Sequence, residues 1–285
     1  MTAFDKIKTL YKERGAKGVS RFLYQRYLSR EPHAYRIIHR FPIYSHLLKD
    51  KHGLEIGGPS HVFSTEIPIY PIVGNLDGCN FSTFTTWEGC LRDGGPFQYS
   101  PHAKPGRQFI REATDLHGLE NESYDFVVAS HVLEHCANPL AALNEWLRVL
   151  RPQGEILLIL PDRRFTFDHR RSVTTFDHLL EDFRVKVRED DMTHFEEIIE
   201  LHDLNMDNQI SGQNLSADDF HERSVKNEAN RCFHQHVFDF PLLEQVFEYF
   251  KISTLDMTFA EPYHQIILGR KTLPTHASDM SEEGS

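Results

Sequence analysis

Only four cysteines occur in 285 residues, Cys79, Cys90, Cys136 and Cys232, and no two form a Cys-x-x-Cys pair. This scarcity argues against a disulfide framework and against a structural zinc ribbon. No apolar stretch approaches the ~20 residues that span a bilayer. The first residues are basic and broken by charges, unlike a secretory leader. The compartment expected from these absences is cytoplasmic, with reduced thiols. Positive charge is also in short supply: 31 Lys and Arg stand against 42 Asp and Glu, a net of −11. An acidic chain is poorly suited to non-specific nucleic-acid binding, so no nucleic-acid partner is expected.

The positive charge that exists is concentrated. Residues 1–51 carry twelve Lys and Arg and four Asp and Glu, a net of +8, which leaves −19 on the rest. Residues 1–50 read as a basic helical N-terminal extension, a solvated lid whose alternative role is peripheral contact with an acidic membrane surface or partner. Residues 51–271 read as the main domain, with an insertion over 163–236 that is polar, acidic and rich in histidine. Residues 272–285 are small and polar and are expected to be disordered.

Strand and helix signals alternate through the main domain. Strands are predicted at 53–57, near 72–77, near 108–112 and at 124–130. Asn138-Pro139 predicts a helix start, and Leu140, Leu143, Leu147 and Leu150 follow at helical spacing. Gly154 to Pro161 is a continuous apolar run, as in a strand covered on both faces. A helix over Pro241 to Phe250 and a closing antiparallel pair over 251–259 and 264–271 complete the pattern. The fold class is α/β: a Rossmann-like, mostly parallel, seven-stranded sheet with helices on both faces, an antiparallel closing strand and a helical cap insertion. Pro68 and Pro71 predict a loop where the first crossover helix would stand.

Two segments carry the chemistry. Leu54-Glu55-Ile56-Gly57-Gly58-Pro59-Ser60 is a buried strand with one acid, ending in a glycine turn that permits close approach of a ligand. Tyr124 to Ser130, followed by His131-Val132-Leu133-Glu134-His135, is a second buried strand ending in small and polar residues. Asp77 and Asp115 lie between them. This order resembles a class I S-adenosylmethionine-dependent methyltransferase of the type 11 group, over roughly residues 50–162. The resemblance implies S-adenosyl-L-methionine as cofactor and methyl transfer as activity. It implies cofactor-binding roles for Glu55, Gly57, Gly58, Asp77, Asp115, Leu116, Ser130 and His131, with Asp77 on the ribose hydroxyls and Asp115 on the adenine amino group. The third glycine of the usual motif is replaced by Pro59-Ser60.

The acceptor is expected to be a small molecule or glycan-like, methylated on oxygen or nitrogen. A hydroxyl or ammonium acceptor needs a base, and His131, His234 and His236 are the catalytic candidates. Arg163, Arg164, His169 and His202 are the substrate-binding candidates, the arginines for an anionic group. His-x-His at 234 and 236 would place both rings on one face of an extended segment. Eighteen histidines raise the question of a metal, but their spacings match no specific zinc pattern, and none is expected. Two rival readings remain: a methyltransferase-like binding protein without turnover, and a metal-dependent enzyme using the cap histidines.

Overall fold

The structure is a computed structural model and describes residues 36–273. Most of the N-terminal extension and of the C-terminal tail lies outside the described residues. From the extension, residues Phe41–Leu48 form α1, whose Tyr44 and Leu48 are buried.

The sheet has eight strands: β1 (His52–Ile56), β2 (Asn75–Asn80), β5 (Pro96–Phe97), β6 (Gly106–Ile110), β7 (Tyr124–Ser130), β8 (Leu150–Pro161), β9 (Ile252–Ala260) and β10 (His264–Lys271). A separate small hairpin pairs β3 (Phe84–Thr85) with β4 (Gly89–Cys90). The order is β5-β6-β2-β1-β7-β8-β10-β9. The five strands from β6 to β8 run parallel. β10 inserts antiparallel between β8 and β9. The extra strand relative to expectation is β5, two residues paired antiparallel at the edge.

β7 and β8 are buried on both faces, because each face of the sheet is covered. Ile156, Leu158 and Leu160 join one core with Val127, Leu143, Trp146 and Leu243. Leu157 and Ile159 join the other with Val128, Phe126, Tyr44 and Phe63. The first face is covered by α2 (Pro139–Val149) and α8 (Phe240–Tyr249). Asn138 caps α2, its Oδ1 accepting from Ala141 N at 3.0 Å. The second face is covered by α1 and by the loop after β1, which holds only a short 3-10 turn, His61–Ser64. The prolines there do leave a loop where a crossover helix would run.

β2 ends three residues later than predicted. Parallel register pairs Leu54 with Asp77 and Ile56 with Cys79, so Asn80 ends β2 beside the glycine turn.

The insertion after β8 is helical, with α3 (Phe176–Val185), α4 (Phe195–Leu201), α5 (Leu204–Ser211), α6 (Ala217–Val225) and α7 (Asn227–Asn230). Side-chain caps start three of them: Thr175 for α3, Asp203 for α5 and Ser216, in a capping box, for α6. Its small apolar cluster is Ile198, Phe220 and Phe233. One side chain ties its two ends: Gln265 Nε2 donates to Pro161 O and to Phe238 O, both at 3.0 Å.

Candidate active site

Chain order reverses between β1 and β7, since β1 leads toward β2 and β6 on one side and β7 resumes on the other. A ligand crevice is expected beyond the carboxyl ends of strands at such a point. A cleft of about 2110 Å³ opens there. That exceeds the ~300–1,000 Å³ of a single-ligand pocket, which leaves room for more than one small molecule.

The glycine turn forms its floor. Gly57 has φ +83°, and a Cβ there would sit 2.4 Å from Val132 Cγ2. Its N–H donates to Cys79 O at 2.8 Å. Glu55 is fully buried and does not face the cleft. Its carboxylate accepts from Ser60 N at 2.9 Å and from the Tyr70 hydroxyl at 2.8 Å, and a Cβ on Gly58 would lie 2.1 Å from it. Glu55 therefore shapes the turn from behind. Burial pushes its carboxyl up to about 7, against the hydrogen bonds from Ser60 and Tyr70 that pull it down. Gly58 is likewise turn structure.

Asp77 is corrected in position. It lies on β2 below the cleft, where it accepts from Arg107 N at 2.7 Å and the Tyr124 hydroxyl at 3.1 Å and meets His52 Nε2 at 3.2 Å. Burial raises its carboxyl, but these partners outweigh that and hold it below the ordinary range. The side chain at the cleft end of β2 is Asn80, whose Nδ2 donates to Gly58 O at 2.9 Å.

Asp115 is also displaced. Its side chain is 68% exposed and turned to His117, and Leu116 is core. Glu112 and Ala113, just beyond β6, line the cleft instead. Arg231 Nη2 donates to Glu112 at 3.0 Å, and Arg231 Nη1 meets Glu189 at 2.5 Å. An acid followed by a small residue was the available signal; the second acid of Glu112-Ala113-Thr114-Asp115 obscured it.

Ser130 and His131 line the cleft. His131 has φ +53°. Its Nε2 lies 2.9 Å from His264 Nδ1, and its Nδ1 lies 3.4 Å from Glu134 Oε1. His264 opens β10 opposite Pro161 at the end of β8, a placement visible only from strand pairing. Burial, then the charge of His131, push the His264 imidazole down to about 3. Aromatic side chains stand around them: Trp87 against His135 at 5.7 Å, Tyr263 against His131 at 5.7 Å, and Phe165 against Phe259 at 5.2 Å.

The remaining candidates are not on the cleft wall. His234 is buried, its Nδ1 bonded to Asp168. His236 is buried near His178 and His194. Their shared face is not realised, because the segment is irregular and the two rings enter separate clusters. Burial, then the charge of His194, push His236 down to about 3, too low for an effective base at neutral pH. The arginine loop is internally bonded. Arg163 donates to Arg171 O at 2.8 Å, and Arg164 pairs with Asp162 at 2.6 Å. His169 meets Asp203 at 3.0 Å. His202 stacks on Phe220 at 4.2 Å and meets Asp207 at 3.1 Å. These groups hold the insertion together.

Among the described residues, no helix is long and apolar enough to cross a membrane. No curated protein matches the chain. Solved structures of similar fold include an S-adenosylmethionine-dependent methyltransferase from Aquifex aeolicus (10% identity, 85% of this chain, 94% of that one, TM-score 0.45). Another is a methyltransferase from Methanosarcina mazei (14%, 84% and 100%, TM-score 0.47). A third is the 1,6-didemethyltoxoflavin N1-methyltransferase of Burkholderia thailandensis (12%, 95% and 92%, TM-score 0.45). Likenesses this distant carry no residue role. Residues 99–158 match the type 11 family described as "Methyltransferase domain". This stretch includes β6, β7 and α2, and the glycine turn precedes it. With the sheet order seen here, that match supports a class I S-adenosylmethionine-dependent methyltransferase.

Proposed function

We propose that the chain methylates an oxygen or nitrogen of a small-molecule or glycan-like acceptor, with His131 as the general base. S-adenosylmethionine, when bound, supplies a methyl group on a positively charged sulfur. Gly57 leaves room for it at the floor, Asn80 Oδ1 is placed to accept from a ribose hydroxyl, and Glu112 with Ala113 borders the base. The fit rests on the close approach that Gly57 permits and on the polar ends of β2 and β6 meeting at one crevice.

The observation that carries the proposal is His131 on the cleft wall, held between His264 and Glu134. Glu134 is buried beside His131, His135 and His234; burial raises its carboxyl, but these neighbours outweigh that and hold it below the ordinary range. That carboxylate favours the tautomer that carries its proton on Nδ1, so Nε2, beside His264, is the nitrogen whose lone pair takes the acceptor's proton. An acceptor hydroxyl or ammonium would pass its proton to His131 as its lone pair takes the methyl group. In-line positioning supplies much of the remaining rate. Trp87, Phe165, Phe259 and Tyr263 offer flat apolar surfaces suited to a ring-shaped acceptor.

His131→Gln tests this. Turnover should fall ~10²–10⁴-fold, as for loss of a general base, with cofactor affinity and thermal midpoint retained. Wild-type turnover in that variant, at any pH from 6 to 9, would remove His131 as the base.

A further inference from the structure

Four side chains from three separate pieces of the insertion converge away from the cleft wall. His178 and Asp182 lie one turn apart on α3, His194 precedes α4, and His236 lies on the segment returning to the sheet. His178 Nε2 is 3.1 Å from His194 Nε2 and 3.3 Å from Asp182 Oδ2. His236 Nε2 is 3.7 Å from Asp182 Oδ2. One donor nitrogen or oxygen from each of His178, His194 and His236 lies within 4.8 Å of the others.

A hydrogen-bonded cluster accounts poorly for this arrangement. His178 and His194 can share one proton, and His236 Nε2 can donate to Ala137 O at 3.3 Å. That still leaves Asp182 Oδ2 buried without a hydrogen bond. A tetrahedral ion with bonds of ~2.0–2.1 Å places its donors roughly 3.4 Å apart. The separations of 3.1, 3.3 and 3.7 Å straddle that edge length.

We propose that His178, Asp182, His194 and His236 bind one divalent transition-metal ion, zinc by the choice of donors. Three imidazoles and a carboxylate suit zinc. Glu197 stands behind His194, 3.6 Å from its Nδ1, in the position of a carboxylate that orients a ligating ring. Four protein donors close the coordination shell, so the ion is structural and not a site for substrate. It clasps α3, the start of α4 and the return segment. The backbone of His236 donates to Glu134 O at 3.2 Å, so the clasp also fixes the insertion against the turn carrying the catalytic side of the cleft. The proposal stands independently of the acceptor and of the role given to His131.

The test uses the full chain purified without a polyhistidine tag. Metal content by plasma mass spectrometry, after dialysis against a weak chelator, should be about one zinc per chain. His178→Ala and His194→Ala should each lower it at least tenfold, and His234→Gln should retain it. Alanine at a buried ligand also risks unfolding, so wild-type protein is stripped with a strong chelator and titrated with zinc. The thermal midpoint should fall on stripping and recover on titration, and cobalt(II) in place of zinc should give the intense visible bands of tetrahedral coordination. Wild-type protein with no metal and no zinc-dependent midpoint shift would overturn the proposal. So would metal kept in both alanine variants and lost in His234→Gln, which assigns the ion to Glu134, His135 and His234.

Discussion

Exchanging the roles expected of Asp77 and Asn80 gives a sharp test of where β2 ends. In the structure Asp77→Ala removes a buried acceptor from the Arg107 amide and the Tyr124 hydroxyl. Hydrogen bonds to a charged partner contribute ~1.5–3 kcal/mol each. His52 is 38% exposed and adds little. The expected loss is therefore about 3–6 kcal/mol of stability, on the order of 10 °C in thermal midpoint for a domain of this size. Cofactor affinity of the folded protein should hardly change. Asn80→Ala should do the reverse. It forfeits one neutral bond to Gly58 O and the ribose acceptor, so stability falls by ~1 kcal/mol and the dissociation constant rises roughly fivefold. Thermal melts and calorimetric titration with S-adenosylhomocysteine measure both. Asp77→Ala with an unchanged midpoint and tenfold weaker binding would show that β2 presents Asp77, not Asn80, to the cleft.

Glu112→Ala should weaken cofactor binding by about tenfold while Asp115→Ala leaves it within twofold, since only Glu112 borders the cleft; equal effects in a titration would contradict that placement. Gly57→Ala meets Val132 Cγ2 at 2.4 Å in a left-handed conformation, and it should abolish measurable cofactor binding; binding within threefold of wild type would rule out close approach at this turn. Glu55 gives a pH dependence. Its folded pKa of about 7 lies above the unfolded value of 4.5, so its contribution to stability is fully present below pH 4.5 and is lost as pH rises through 7. Glu55→Gln should flatten the stability profile across that window by up to ~3 kcal/mol, and chemical denaturation at pH 5 and pH 8 showing the same slope in both proteins would contradict the burial argument.

β7 and β8 were legible in the sequence because a strand covered on both faces has no choice but a continuous apolar run. The end of β2 was not. Gly78, Cys79 and Asn80 carry little strand preference, and only the register against Glu55 and Ile56 extends the strand that far. The same reason hid Asn80, since its position is defined by a neighbouring strand. In the insertion, helical character was legible but side-chain roles were not. A segment with only a small apolar cluster must be held by polar bonds, so its arginines and histidines are consumed by Asp162, Asp203, Asp207 and backbone carbonyls. Arg163, Arg164, His169 and His202 are engaged within the insertion on that account, away from the cleft wall.

The Gln265 amide that bridges Pro161 and Phe238 has a consequence for how such a chain diversifies. Because exit and return of the insertion are fastened at one point on the sheet, the segment between them is a closed excursion. Lengthening or shortening it changes the loop-closure entropy only slowly, ~0.6 kcal/mol per doubling, and leaves the register of β8 against β10 untouched. Changes within that excursion can therefore alter the residues it lends to the cleft, Phe165, Glu189 and Arg231 among them, without disturbing the glycine turn at the floor.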